Sequence, residues 1–143
     1  MQQVTACLDS NVYISGIAFG GKPLKILERA LNREFLLVTG PNILQEVRRN
    51  LFGKLDLKKS RVDRLLLDIA EVASVFVPSG KLSFIKHAQD NLVLEVALMG
   101  ASDVLVTGDR KHLLPLKIFH GISIEPPSAF LERLDLLAHR GHQ

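Results

Sequence analysis

The fold is decided by a stretch near the start of the chain, Val4-Thr5-Ala6-Cys7-Leu8-Asp9-Ser10-Asn11. Its apolar run is short, rich in β-forming residues and ended by three polar residues, which predicts a buried strand followed by a loop. The strand carries Asp9 at its carboxyl end. Because ligands of open parallel α/β sheets bind at that edge, we expect Asp9 to lie in a functional site.

A second stretch, Asp103-Val104-Leu105-Val106-Thr107-Gly108-Asp109, repeats the pattern. If its strand and the first are parallel neighbours, Asp9 and Asp109 stand side by side above the sheet. Asp103 begins the same strand, and at about 3.3 Å per residue it is on the order of 15–20 Å from Asp109. The two cannot hold one metal ion, so we expect Asp103 to cap or pair at the opposite end of the sheet.

The bulk composition is that of one ordinary globular domain. The 143 residues fit a single domain over residues 1–143, and 47% hydrophobic with 23% charged residues is typical of soluble proteins. Cys7 is the only cysteine, so no disulfide framework is expected and a cytoplasmic location is predicted. No apolar run approaches the roughly 20 residues of a membrane span, and we expect no signal peptide.

The remaining elements alternate along the chain. Further strands are predicted at Phe35–Thr39, Val75–Val77 and Gly121–Ile124. Five helices are predicted: one at about Pro23–Asn32, one that begins at Pro41, one that ends at Val72, one that begins at about Asp90 and one that follows Pro126. Ser15-Gly16 and Gly20-Gly21 predict a flexible patch after the first strand. This alternation predicts a three-layer α/β/α sandwich around a central, mostly parallel five-stranded sheet.

Two more acids are expected near the carboxyl edge of the sheet. Glu46 lies early in a helix, on the border of its apolar stripe, where an isolated glutamate ordinarily turns to water. Asp90 lies at the start of a later helix, where a capping role alone would account for it. Glu95, five residues on, is expected at the surface.

Together, Asp9, Glu46, Asp90 and Asp109 predict a metal site. Four carboxylates cannot share a pocket without a cation, and an all-oxygen cluster selects Mg²⁺ or Mn²⁺ over zinc. Such an ion activates water and stabilises a leaving oxygen, which is the chemistry of phosphodiester hydrolysis. That chemistry needs no histidine base, so His87 and His112 are expected at the surface.

Polar and basic neighbours of these acids have two interpretations each. Ser10, Asn11 and Thr107 are placed to orient a carboxylate or a water, although turn chemistry explains them equally well. The net charge is +3, and if the acids gather in one site the remaining surface is more basic than that total suggests. Candidate phosphate-binding residues are Lys54, Lys58, Lys59, Arg61, Arg110 and Lys111. A solvated helix face is the alternative interpretation.

Four motifs in order resemble those of PIN-domain nucleases, most closely the VapC-like group of toxin components of toxin–antitoxin pairs. The motifs are Leu8-Asp9-Ser10-Asn11, Leu44-Gln45-Glu46-Val47, Asp90-Asn91-x-x-Leu94-Glu95-x-Ala97-Leu98 and Val106-Thr107-Gly108-Asp109. The resemblance spans about Val4 to Leu131. It implies that the four acids bind Mg²⁺ or Mn²⁺ and carry catalysis, that single-stranded RNA is cleaved, and that the chain forms a homodimer with a cognate antitoxin.

The sequence departs from the family pattern at two places. Relatives often carry extra acids just before the third carboxylate, where this chain has His87-Ala88-Gln89, and another shortly after the fourth, near His112. These departures keep open an alternative function, a non-catalytic PIN-like module that binds RNA or another protein. Other sheet-edge aspartate proteins are disfavoured, since a haloacid dehalogenase needs a second Asp where Asn11 stands.

Overall fold

The computed structural model describes residues 3–54 and 58–140. The strands are β1 (Thr5–Leu8), β2 (Leu36–Thr39), β3 (Ser74–Val75), β4 (Val104–Val106), β5 (Ile118–Phe119) and β6 (Ile122–Glu125). The helices are α1 (Ser10–Phe19), α2 (Gly21–Leu31), α3 (Pro41–Lys54), α4 (Lys59–Val72), α5 (Ala88–Met99) and α6 (Pro127–Arg140). A short 3₁₀ helix, Leu114–Leu116, precedes β5.

All strands pair in one sheet, in the order β3-β2-β1-β4-β6-β5. Neighbouring strands are parallel except for β5 and β6, which form an antiparallel hairpin. The first strand is central, and its Ala6 pairs with Leu37 on one side and Val104 on the other. Asp9 and the segment after β4 therefore emerge next to each other at the carboxyl edge.

The described part of the chain forms six strands, whereas the sequence predicted five. The additional strand, β5, is only two residues long, which is too short for an alternating pattern to reveal it. It is joined to β6 by His120 and Gly121, both at positive φ, as a tight hairpin turn requires.

The helices cover both faces of the sheet. The chain moves outward from β1 through β2 to β3 and then returns to β4, so right-handed crossovers place α1 to α4 on one face and α5 on the other. The predicted α/β/α architecture with a mostly parallel sheet is confirmed. Asp103 lies at the opposite edge from Asp9, as predicted, and its Oδ2 accepts a hydrogen bond from the backbone N–H of Thr5 at 2.9 Å.

The predicted flexible patch after the first strand is wrong, because Ser15 and Gly16 lie within α1, and Gly20 and Gly21 join α1 directly to α2. Val12 and Tyr13 are buried in the core. A Cβ added to Gly16 would lie 3.0 Å from both the backbone N and a side-chain carbon of neighbouring residues in α2, Leu24 and Leu27. Gly16 therefore permits a close helix–helix contact and does not loosen the chain. No helix among the described residues is long and apolar enough to cross a membrane.

Candidate active site

Asp9 is fixed in place by hydrogen bonds to both of its carboxylate oxygens. It is the N-cap of α1, where its Oδ1 accepts from the backbone N–H of Ser10 at 2.8 Å. Its Oδ2 accepts from the hydroxyl of Thr107 at 2.8 Å and from the amide of Asn11 at 3.2 Å. Only 6% of Asp9 is exposed. One nearly buried carboxylate thus faces the carboxyl edge of the sheet in a single orientation.

Asn11 and Thr107 also tie the two strand ends together. The Oδ1 of Asn11 accepts from the backbone N–H of Gly108 at 3.0 Å, and the hydroxyl of Thr107 accepts from the N–H of Asp109 at 3.0 Å. The Oδ1 of Asp109 in turn accepts from the backbone N–H groups of Lys111 and His112, at 2.9 and 3.0 Å. These bonds hold Asp109 beside Asp9. Of the predicted supporting residues, Ser10 contributes through its backbone N–H.

The acids influence one another electrostatically. Burial raises the pKa of Asp9 to about 6, against the opposing effect of the hydrogen bonds from Thr107 and Ser10, and the negative charges of Asp90 and Glu46 raise it further. The pKa of Asp90 is also raised, first by burial and then by Asp109, with Glu46 adding to the effect. The structure therefore brings the four predicted acids to one region. Such a cluster of like charges is costly unless a cation neutralises it.

The loop between β3 and α5 is held against α5 by two side chains. The Oδ1 of Asn91 accepts from the backbone N–H groups of Phe84 and Ile85 at 3.1 and 3.0 Å, and its amide donates to the Ile85 carbonyl at 2.7 Å. Glu95 accepts from the backbone N–H and hydroxyl of Ser79 at 2.6 and 2.7 Å. These contacts fix the segment that leads into Asp90.

The expectation that Glu95 lies at the surface is therefore wrong. Glu95 is 9% exposed, because the loop that carries Ser79 and Gly80 folds over it. The hydrogen bonds from Ser79 lower the pKa of the Glu95 carboxyl. Helical periodicity places Glu95 away from the buried stripe, but α5 is covered by the sheet on one side and by this loop on another.

His87 is exposed, as expected, and His112 is half-buried, but the two histidines contact each other beside the acids, which the sequence did not predict. The rings of His87 and His112 stack with their centroids 3.6 Å apart. The Nδ1 of His112 lies 3.5 Å from the Oδ2 of Asp90 and 3.4 Å from the Oδ2 of Asp109. His112 and His87 both lower the pKa of Asp90, against the larger effects of its burial and of Asp109. Sequence reasoning missed them because 25 residues separate them and no periodic pattern links them.

The profile of the PIN domain family matches residues 5–111, a span that contains all four acids. The chain belongs to the PIN domain family. Its fold is similar to a chain in the crystal structure of VapBC2 from Rickettsia felis bound to a DNA fragment from their promoter, with a TM-score of 0.60 and 17% identity over 86% of this chain and 98% of that chain. No curated protein sequence matches it.

The predicted phosphate-binding residues of this PIN domain lie in two groups on the surface. Lys58, Lys59 and Arg61 are exposed at the start of α4, and Arg110 and Lys111 are exposed directly after Asp109. Among the predicted phosphate-binding residues, the side chain of Lys54 lies outside the described part of the structure.

Proposed function

We propose that this PIN domain is a metal-dependent ribonuclease that hydrolyses phosphodiester bonds of single-stranded RNA, and that it is the toxin of a toxin–antitoxin pair. The observation that carries the proposal is the gathering of Asp9, Glu46, Asp90 and Asp109 at the carboxyl edge of β1 and β4, with Asp9 nearly buried. A structural role does not explain why a fold would assemble four carboxylates that repel one another.

The residues present suit a hard divalent cation. The donor groups are carboxylate oxygens, which favour Mg²⁺ or Mn²⁺. The raised pKa of Asp9, caused by burial and by the charges of Asp90 and Glu46, indicates negative charge that the described side chains do not fully offset. Asp9, Glu46, Asp90 and Asp109 would hold the ion, which would activate water and stabilise the charge that develops on the phosphate.

The surrounding residues keep the acids in position for this role. Thr107 donates to Asp9 and accepts from the backbone of Asp109, so a single hydroxyl sets the spacing between the two strand ends. Asn11 does the same through its amide group, which contacts Asp9 and Gly108. Such preorganisation matters because a misplaced ligand costs activity even when it is present.

The basic residues at the start of α4 support a polyanionic substrate. Lys58 is the N-cap of α4 and Lys59 its first residue, at the positive end of the helix dipole. Cations are unfavourable at that end, so these lysines do not serve the stability of the helix. Phosphates of an RNA strand would be attracted both to the lysines and to the helix terminus.

Cleavage of a labelled single-stranded RNA in Mg²⁺ or Mn²⁺ tests the proposal. We expect Asp9→Asn and Asp109→Asn to abolish cleavage and to leave RNA binding largely intact, because binding comes from basic residues outside the acidic cluster. Asp103→Asn is the matched control, since Asp103 lies at the opposite edge of the sheet. It should cut at the wild-type rate.

Two results would contradict this assignment. Wild-type protein that binds RNA but never cuts it, with several RNA sequences and both ions, would favour the non-catalytic binding module. An Asp9→Asn protein as active as the wild type would remove the metal mechanism.

The partners of the toxin proposal are an antitoxin and a second copy of the chain. The proposal of an antitoxin is supported by the fold likeness to a VapBC2 chain and by family membership. Co-expression with any small protein encoded next to this gene should yield a complex with reduced ribonuclease activity, and light scattering of the purified chain should give the mass of a homodimer. A complex that cuts RNA as fast as the free chain would contradict inhibition by that partner.

A further inference from the structure

Two imidazoles flank the acidic cluster, and the proposed ribonuclease mechanism uses neither. His87, Asp90 and His112 each offer one possible metal-ligand atom, and these three atoms lie within 4.8 Å of one another. Among the described residues, no other group of three or more histidine, cysteine or acidic side chains has ligand atoms this close together. Asp90 and His112 are half-buried and His87 is exposed, so the group opens to solvent on one side.

We propose that His87, Asp90 and His112 form a transition-metal site beside the carboxylate cluster, one that takes Zn²⁺ or Co²⁺ in preference to Mg²⁺. The inference goes beyond the proposed function and shares only Asp90 with it. Imidazole is a good ligand for late first-row ions, whereas carboxylate and water ligands suit Mg²⁺ and Mn²⁺. Two imidazoles therefore change which ion this side of the cluster prefers.

The spacing around His112 suits ligands of a shared ion. Its Nδ1 lies 3.5 Å from Asp90 Oδ2 and 3.4 Å from Asp109 Oδ2. With metal–ligand bonds of about 2.0–2.1 Å, two ligands of one tetrahedral zinc ion are roughly 3.3 Å apart. The separation of His112 and Asp90 matches that value, whereas Asp109 contacts His112 alone and does not belong to the group of mutually close ligand atoms.

Both histidines extend from backbone that is already fixed. His87 is the N-cap of α5, and its carbonyl accepts from the N–H of Asn91 at 3.0 Å. The Asn91 side chain also holds the preceding loop through Ile85. The N–H of His112 donates to Asp109 at 3.0 Å. Little ordering would be needed for these side chains to bind an ion, and this favours affinity.

A simpler role for His112 makes the opposite prediction. If His112 only neutralised Asp90 and Asp109 as a built-in cation, its removal would leave the affinity for a metal ion unchanged or raise it. A ligand role requires that its removal lowers this affinity. The sign of the change therefore separates the two roles.

The test is a Co²⁺ titration of the full chain, followed by visible absorption, with competition by Mg²⁺. Wild-type protein should give the intense visible absorption band that Co²⁺ shows when its coordination number is low. Excess Mg²⁺ should not remove this band. His87→Gln and His112→Gln should each lose the band and bind Co²⁺ at least about tenfold more weakly. His139→Gln, an exposed histidine on α6, is the matched control and should bind as the wild type does.

Unchanged Co²⁺ affinity in both histidine variants would overturn the site, and so would displacement of Co²⁺ from the wild type by Mg²⁺ at similar concentration. Circular dichroism of each variant shows whether it is folded. Asp9→Asn should keep the band, because Asp9 is not a ligand of this site. An intact band in a wild-type protein that never cuts RNA would support this site and contradict only the proposed function.

Discussion

At the scale of single residues, Asp9 links stability to pH. The pKa of Asp9 is raised from 3.8 to about 6 by burial and by nearby acids. A group whose pKa is raised on folding stabilises the fold below its unfolded pKa, and this contribution is lost as pH rises through the folded pKa. The pKa shift of Asp9 corresponds to about 3 kcal/mol of unfolding free energy.

We therefore expect the stability of the wild type, relative to Asp9→Asn, to fall by about 2–3 kcal/mol between pH 4 and pH 7.5 when no divalent ion is present. Urea unfolding of both proteins in EDTA at several pH values measures the difference. The matched control is Asp103→Asn, for which the difference from the wild type should not show this fall. A constant difference between wild type and Asp9→Asn across the range would contradict the raised pKa.

At the scale of elements, the loop before α5 depends on Asn91. Its side chain makes three hydrogen bonds to the backbone of Phe84 and Ile85. Asn91→Ala would leave these part-buried backbone groups without the Asn91 side chain as a partner, so we expect a loss of about 1–3 kcal/mol in unfolding free energy. Amide exchange should become faster in the loop between Ser79 and His87. Gln89→Ala, an exposed position in the same helix, is the control.

In that experiment, equal exchange of the loop amides in Asn91→Ala and wild type would show that the loop is held by other contacts. The Co²⁺ band should also weaken in Asn91→Ala if the loop positions His87.

The connection between β2 and α3 requires a glycine. A Cβ on Gly40 would lie 2.6 Å from the carbonyl oxygen of Phe76, and this backbone cannot yield cheaply. We expect Gly40→Ala to destabilise the fold by about 1–3 kcal/mol through overpacking. Gly108 follows β4 at the same edge, but its nearest neighbour would be 3.7 Å away. Gly108→Ala should therefore melt close to the wild type in a thermal scan, and equal losses in both variants would contradict this explanation.

The sequence predicted the strands that carry Asp9 and Asp109, because a short apolar run ended by a carboxylate is a local pattern. It did not predict α1, because Val12 and Tyr13 belong to a helix buried on most sides and Gly16 resembled a breaker. The contact between His87 and His112 depends on a loop held by Asn91 and on a turn held by Asp109. Such long-range arrangements leave no periodic signal in the sequence.

At the scale of the whole molecule, the mild net charge of +3 conceals an uneven distribution. If Lys58 and Lys59 contact RNA phosphates, replacing both with Ala should weaken RNA binding. It should also reduce the slope of log K against log salt by about 1.4, since fewer counterions are released. Fluorescence anisotropy at several salt concentrations measures this slope.

The matched control for this experiment neutralises two charges that belong to neither group of predicted phosphate-binding residues. Arg33 and Lys117 are exposed and adopt positive φ, a conformation that Asn tolerates. Arg33→Asn with Lys117→Asn should therefore leave the slope closer to that of the wild type. The same loss of slope in both double variants would show that net charge, and not a specific surface, attracts the RNA.

The central position of β1 also determines when the site comes into being during synthesis. Its partner β4 and the acid that follows β4 are made about one hundred residues after β1. At ribosomal rates of about 5–20 residues per second, roughly 5–20 s pass between the synthesis of Asp9 and the synthesis of Asp109. A nascent chain therefore carries no assembled acidic cluster until Asp109 has been synthesised.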